Sequence, residues 1–216
     1  MKRSVLIIII AGLFGTTMTH AQALRSYGVK GGLTMANQRY EFTTFDYRME
    51  TKPVFRPAIG LFAELFHHEY LSVQADLIYA GKGSKTSTTS ITVNHLDNDN
   101  VTVNEGPVTS SSYHYASFSP MIRYRNEDIF PVLYVMLGPR FEKLIAYNTQ
   151  SDYPLDDQNT TMFGLTGSFG AEFSLGELDA FVELQYQPDM TPVTDELPLL
   201  VRNSIVMLTV GVRFMQ

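Results

Sequence analysis

The chain has 216 residues, 44% of them hydrophobic, and a formal charge of −6. That length suits a single domain, and an all-β barrel of this size stays undivided. The absence of cysteine excludes a disulfide framework, a lipidation cysteine and a cysteine-based metal site, and the acidic balance excludes the basic footprint that a nucleic-acid partner requires.

The N-terminus reads as a processing segment. Lys2 and Arg3 form a positive n-region, Val5 to Phe14 an apolar h-region, and Thr19-His20-Ala21 a small-x-small cleavage site, so residues 1–21 are expected to be a signal peptide and residues 22–216 the mature domain. The apolar run is about half the ~20 residues that a spanning helix needs, which argues against a helical anchor. Losing Lys2 and Arg3 takes the charge from −6 to −8, with 14 basic against 22 acidic residues.

Beyond it, apolar and polar residues alternate in segment after segment, the period-2 pattern of a strand between two different solvents. Tyr27 to Met35 sets Tyr27, Val29, Leu33 and Met35 against Gly28, Lys30, Gly32 and Thr34. A mixed-charge connection, Gln38 to Arg56, leads to Ala58 to Phe66, where Ile59, Leu61 and Leu65 alternate with Gly60, Phe62 and Glu64. His67-His68-Glu69 is a tiny turn, and Tyr70 to Tyr79 repeats the scheme with Ser72, Gln74 and Asp76 on the polar side. Gly81 to Ser112 is the longest connection. Within it, Ile91, Val93, Val101 and Val103 flank Asp97-Asn98-Asp99-Asn100, which predicts a hairpin extension. The acidic run lacks the glycine and third ligand of a calcium loop, so it reads as a solvated turn.

His114 to Tyr124 follows, with Ala116, Phe118, Pro120 and Ile122 opposed to Ser117, Ser119, Met121 and Arg123. Pro120 is awkward in a sheet interior. After Asn126-Glu127-Asp128, Phe130 to Glu142 points Leu133, Val135, Leu137 and Phe141 one way and Tyr134, Gly138 and Arg140 the other. A polar loop, Asn148 to Thr161, precedes Met162 to Phe173, whose polar side carries Thr166, Ser168 and Glu172. Leu175-Gly176-Glu177 turns the chain into Asp179 to Tyr186, with Phe181, Glu183 and Gln185 inward, and Gln187 to Arg202 connects to the last segment. There, in Asn203 to Phe214, Val206, Leu208, Val210, Val212 and Phe214 oppose Met207, Thr209, Gly211 and Arg213.

Eight strands result, joined by connections that alternate long and short. Bacterial outer-membrane barrels have an even strand number, short periplasmic turns, longer outer loops and alternating lipid and lumen faces. The expected fold is therefore an all-β, eight-stranded, antiparallel up-and-down transmembrane barrel in the bacterial outer membrane, with its termini in the periplasm. Aromatic residues near strand ends (Tyr27, Phe66, Tyr70, Tyr79, Tyr124, Phe130, Phe173 and Phe214) are candidates for interfacial girdles.

The inward faces carry Lys30, Arg123, Arg140 and Arg213 against Glu64, Asp76, Glu172 and Glu183, four charges of each sign. Eight strands enclose a space that side chains fill, so these residues are expected to form a lumen network of ion pairs instead of lining a diffusion pore. Steady conductance is not expected.

The opening Tyr27-Gly28-Val29-Lys30-Gly31-Gly32-Leu33 with Asn37 resembles the PorT-like outer-membrane β-barrel family of the Bacteroidota. Gly60-Leu61-Phe62, Leu71-Ser72-Val73-Gln74, Leu77-Ile78-Tyr79, Gly81-Lys82-Gly83, Leu137-Gly138-Pro139 and Gly211-Val212-Arg213-Phe214 resemble that family's strand motifs in its order. The resemblance covers nearly the whole mature chain. It implies an eight-stranded barrel, with some members assisting protein secretion across the envelope, and it carries no catalytic residues. The chain departs from the pattern by ending Phe214-Met215-Gln216 instead of on the aromatic.

The function expected on these grounds is non-enzymatic: a barrel displaying outer loops for surface interaction, or serving as an accessory to envelope assembly or secretion. No cofactor or metal is expected. The partners expected are outer-membrane lipid, the barrel assembly machinery acting through the C-terminal strand, and an unknown surface or secretion partner. The loop acids Asp152, Asp156, Asp157, Asp189, Asp195 and Glu196 read as a solvated surface. Two alternatives remain. A lipid A-modifying enzyme would use His114 with Ser110, Ser111 or Ser112, the one His near serines at an outer rim. A soluble periplasmic lipocalin-like binder would need a polar outside and an apolar inside. His67 and His68, adjacent in a turn with diverging side chains, do not suit a metal site.

Overall fold

A computed structural model of the chain describes residues 24–42, 48–49, 52–94, 100–126, 128–149, 159–176, 178–192 and 199–215. The described residues form strands β1 (Leu24–Phe42), β2 (Arg48–Met49), β3 (Lys52–His68), β4 (Leu71–Asn94), β5 (Asn100–Asn126), β6 (Val132–Thr149), β7 (Thr161–Ser174), β8 (Leu178–Pro188) and β9 (Leu199–Met215). β2 is a two-residue appendage, paired with Tyr40 and Glu41 of β1. The other eight pair in chain order, every pair antiparallel, and β1 also pairs with β9 in an unbroken register from Ser26↔Met215 to Phe42↔Leu199. The sheet is a closed eight-stranded barrel, which removes the edges that an open sheet would expose.

The two faces are sorted for inverted solvents. Outward aliphatic side chains such as Ile59 (66% exposed), Ile122 (64%), Leu137 (64%) and Val210 (58%) stand clear of the protein, whereas inward Arg123 and Arg140 are 0% exposed. A protein in water would do the reverse, so the outer surface faces hydrocarbon. Aromatic pairs rim this apolar band. Tyr27–Phe214 (ring centroids 5.5 Å apart), Tyr70–Tyr124 (6.3 Å) and Phe130–Phe173 (6.2 Å) lie at the end with short turns; Phe141–Phe163 (5.4 Å) and Tyr79–His114 (5.7 Å) lie toward the other end.

Toward the long connections every strand runs at least as far as its alternating pattern, and β4 and β5 run much further; at the short-turn end β4 begins at Leu71 and β6 at Val132, inside the expected starts at Tyr70 and Phe130. Their register continues to Asn94↔Asn100, passing through Ile91↔Val103 and Val93↔Val101 as the hairpin extension predicted. The segment expected as a long connection is thus mostly a two-stranded ribbon: apolar alternation stops where lipid stops, but a Ser/Thr-rich ladder keeps its backbone hydrogen bonds in water. The Asp97 to Asp99 part of the expected turn lies outside the described residues. His67 and His68 belong to β3 instead of the turn, which is made by Glu69 and Tyr70.

Around Pro120 the facing follows the pattern, with Ser119 and Met121 buried inward. Pairing of β5 with β6 lapses between Phe118↔Phe141 and Ile122↔Leu137, the stretch where the flanking register sets Pro120 opposite Pro139. Neither residue has an N–H to give, so the gap costs no donor. The strands still approach closely there: a Cβ on Gly138 would sit 2.0 Å from the Pro120 carbonyl oxygen.

Candidate functional site

The lumen is the chemically dense part of the molecule. Inward glycines make room for its largest side chains. Gly28 lies opposite Phe62, Gly170 opposite Tyr134 and Gly211 opposite Phe181, and in each pair a Cβ on the glycine would fall within 2.5 Å of the facing ring. Phe62 and Phe181 then meet edge to face at 5.3 Å.

At the short-turn end, Glu64 of β3 lies among four arginines. Arg213 Nη1 is 3.4 Å and Arg123 Nη1 3.5 Å from its Oε2, while Arg125 Nη1 at 3.6 Å and Arg25 Nη1 at 4.0 Å approach Oε1. The Ser26 hydroxyl donates to Oε2 at 3.1 Å. Glu172 bridges the same arginines, 2.5 Å from both Arg123 and Arg213. Arg123 also lies 4.0 Å above the Tyr134 ring, a cation–π contact strengthened by the exclusion of water.

In the middle, Lys30 of β1 lies between two carboxylates, Asp76 and Glu183, with Nζ 2.9 Å from the latter. Amides and a phenol complete the set: Gln74 Nε2 donates to Asp76 Oδ1 at 2.8 Å, and the Tyr134 hydroxyl donates to Glu183 Oε2 at 2.9 Å. At the end with long connections, Lys82 Nζ lies 2.5 Å from Glu142 and 3.2 Å from Asp189. Arg140 pairs with the same two carboxylates, with Nε 3.1 Å from Glu142. Apolar clusters fill the space between polar groups, Met121–Tyr134–Met136 in one place and Tyr113–Tyr115–Met162 in another.

All eight sequence-predicted lumen residues are buried inside, and their ion pairs fall into separate groups, the first two of which are joined by Gln74, which accepts from Arg123 at 3.0 Å and donates to Asp76 at 2.8 Å. Glu64, Arg123, Glu172 and Arg213 form one group and Lys30, Asp76 and Glu183 a second. Arg140 pairs with residues that the sequence reading missed: Glu142 and Asp189, which it shares with Lys82. Asp189, expected as a solvated loop acid, is 7% exposed and belongs to the interior. The missed signal was parity. Lys82 continues the series Asp76, Ile78, Ala80; Glu142 follows Arg140; Asp189 follows Glu183, Gln185 and Gln187, all in steps of two.

His114 is on the outer face, stacked on Tyr79, with Nε2 3.3 Å from Ser112 Oγ. Its Nδ1 has no hydrogen-bond partner among the described residues, so no carboxylate orients the ring as a catalytic triad requires. The side chains of Ser110, Ser111 and His67 lie outside the described residues, as do Asp152, Asp156, Asp157, Asp195 and Glu196. Among the described residues, no group of three potential ligands could hold a metal ion. The lipocalin-like alternative fails on the faces, since the interior is charged and the exterior apolar.

The family model described as outer membrane protein beta-barrel domain matches residues 20–194. The chain belongs to this family. It is accordingly a protein of the bacterial outer membrane. Similar outer-membrane barrels among solved structures include Ail, the attachment invasion locus protein of Yersinia pestis, at 15% identity and a TM-score of 0.39 over 88% of this chain and 99% of that one. Neisserial surface protein A matches at 12% identity and 0.42 (88% and 97%), and the outer membrane protease OmpT of Escherichia coli at 8% and 0.45 (93% and 99%). Among curated proteins none matches.

Proposed function

We propose that this outer-membrane barrel is non-enzymatic, has a plugged lumen, and serves as a display scaffold for surface interaction or as an accessory to envelope assembly or secretion, in the manner of PorT-like proteins of the Bacteroidota. The observation that carries the reading is the pairing of the lumen: Lys30, Lys82, Arg123, Arg140 and Arg213 each contact a carboxylate inside the wall, which leaves the ribbon and the other long connections as the parts available to a partner. Leu24 and Met215, the first and last described residues, both lie at the short-turn end, which supports a periplasmic position for the termini and recognition of β9 by the barrel assembly machinery. Removal of residues 1–21 as a signal peptide belongs to the same reading.

Deleting Ser84 to Ser110 tests it. The shortened barrel should keep a heat-dependent shift in SDS gel mobility while losing cross-links to envelope or surface partners in whole cells. Loss of the gel shift would mean that the ribbon is part of the folding unit and would overturn the display reading. The enzymatic alternative has its own test: a His114→Ala strain with an altered lipid A acylation pattern would replace the non-enzymatic reading.

A further inference from the structure

Toward the long connections the wall forks. β3 and β4 pair as far as Lys52↔Lys85, whereas β4 continues with β5 to Asn94↔Asn100. The chain leading into β3 stays with β1 instead, where Arg48–Met49 (β2) pairs with Tyr40 and Glu41. Among the described residues, no strand pairs with the edge of β4 over 86–94 that faces away from β5, nor with the matching edge of β5 over 100–110.

A free row of backbone donors and acceptors is a template for another strand, and sheets guard such edges with charge, proline or a bulge. β5 has all three. It carries Glu105 and Pro107, and it fits Gly106 and Pro107 between Ser87↔Val108 and Thr89↔Glu105, where β4 has only Thr88. β4 has none of them: 86–94 reads Thr-Ser-Thr-Thr-Ser-Ile-Thr-Val-Asn, without charge, proline or glycine. One edge of the ribbon is guarded and the other is open.

The base of the open edge selects what enters. Lys52 and Lys85 stand directly opposite on neighbouring strands, where like charges repel. Lys85 is exposed and has no ion pair among the described residues. The β3–β4 ladder closes the slot below them, so an incoming strand ends there. Added antiparallel to β4, it follows the direction of β3 and brings a C-terminal carboxylate to the lysines; added parallel, it would bring an ammonium group. We propose that the fork is a docking slot for the extended C-terminal strand of a partner protein, held by β4 through backbone hydrogen bonds and by the lysine pair through its carboxylate. The proposal rests on the display reading and specifies the partner which that reading leaves open.

The test uses the full mature chain in nanodiscs to pan random peptides displayed with free C termini, and then titrates the enriched peptides as synthetic acids and as amides. Peptides should be enriched on the wild type and not on the chain lacking Ser84 to Ser110. Amidation of the peptide and Lys85→Glu in the protein should each weaken binding about tenfold, the scale of one charge-assisted hydrogen bond. Bound peptide should slow amide exchange over 86–94 more than in any other connection. No enrichment, equal binding of acid and amide, or protection centred on another segment overturns the slot. A heat-dependent gel shift for each variant verifies the barrel. The display reading is tested separately, by cross-links in whole cells, so failure of the slot leaves it standing.

Discussion

Glu64 is 0% exposed and faces the half-buried Arg25 and the buried Arg123, Arg125 and Arg213, so its carboxylate offsets charge that is largely shut off from water. Removing one partner of a buried ion pair leaves the other uncompensated, a loss of about 3–5 kcal/mol. Glu64→Ala should therefore destabilise the folded barrel by that order, read as a lower urea midpoint in detergent or bilayers; an unchanged midpoint would mean that Glu172 alone neutralises the cluster. A second residue-scale prediction concerns space. A Cβ at Gly170 would lie 2.2 Å from the Tyr134 ring, whose hydroxyl is bonded to Glu183 and whose face carries Arg123. Gly170→Ala should cost about 1–3 kcal/mol by overpacking, whereas Gly170→Ala with Tyr134→Leu should recover part of it. Lack of recovery would place the strain elsewhere.

Among the elements, the β7–β8 pair has an interrupted ladder. It stops at Gly167↔Tyr186 and returns only as the isolated bridge Gly164↔Asp189. Arg140 of β6 reaches across the gap, donating to the Leu165 carbonyl at 3.1 Å and the Pro188 carbonyl at 3.5 Å. Gly164 leaves the room, since a Cβ there would meet Pro188 O at 2.6 Å and Arg140 Nη2 at 2.7 Å. Arg140 thus supplies donors that the interrupted ladder does not. Arg140→Met should raise amide hydrogen exchange at Leu165, Thr166 and Gln187 by about tenfold, with little change on the β1–β9 seam. Uniform acceleration over the whole barrel would instead show a global loss of stability.

For the whole molecule, the filled lumen and the apolar exterior point to a wall without a hole. Reconstituted in planar bilayers, the mature protein should give no steady single-channel conductance at moderate voltage. Reproducible open levels would mean that the ion-pair layers part as a unit. The fold itself was legible because a transmembrane barrel writes its two solvents into alternate residues: Val206 to Phe214 against Met207 to Arg213 is enough to define a strand and its two faces.

The strand order and the division of each strand into an apolar and a charge-bearing face were legible in the sequence, because both follow from a period of two; that the apolar face is the outer one needed the closed sheet. The sequence did not reveal where the strands end. Lys82, Glu142 and Asp189 lie just beyond the apolar alternation, and there a polar residue on the inner wall looks the same in sequence as one in a loop. Which charges meet was set by the closed barrel. Partners such as Lys82 and Asp189, or Arg123 and Glu172, come from strands far apart in the chain, and the stagger and closure of the barrel, not any local pattern, set the height at which each side chain enters the lumen.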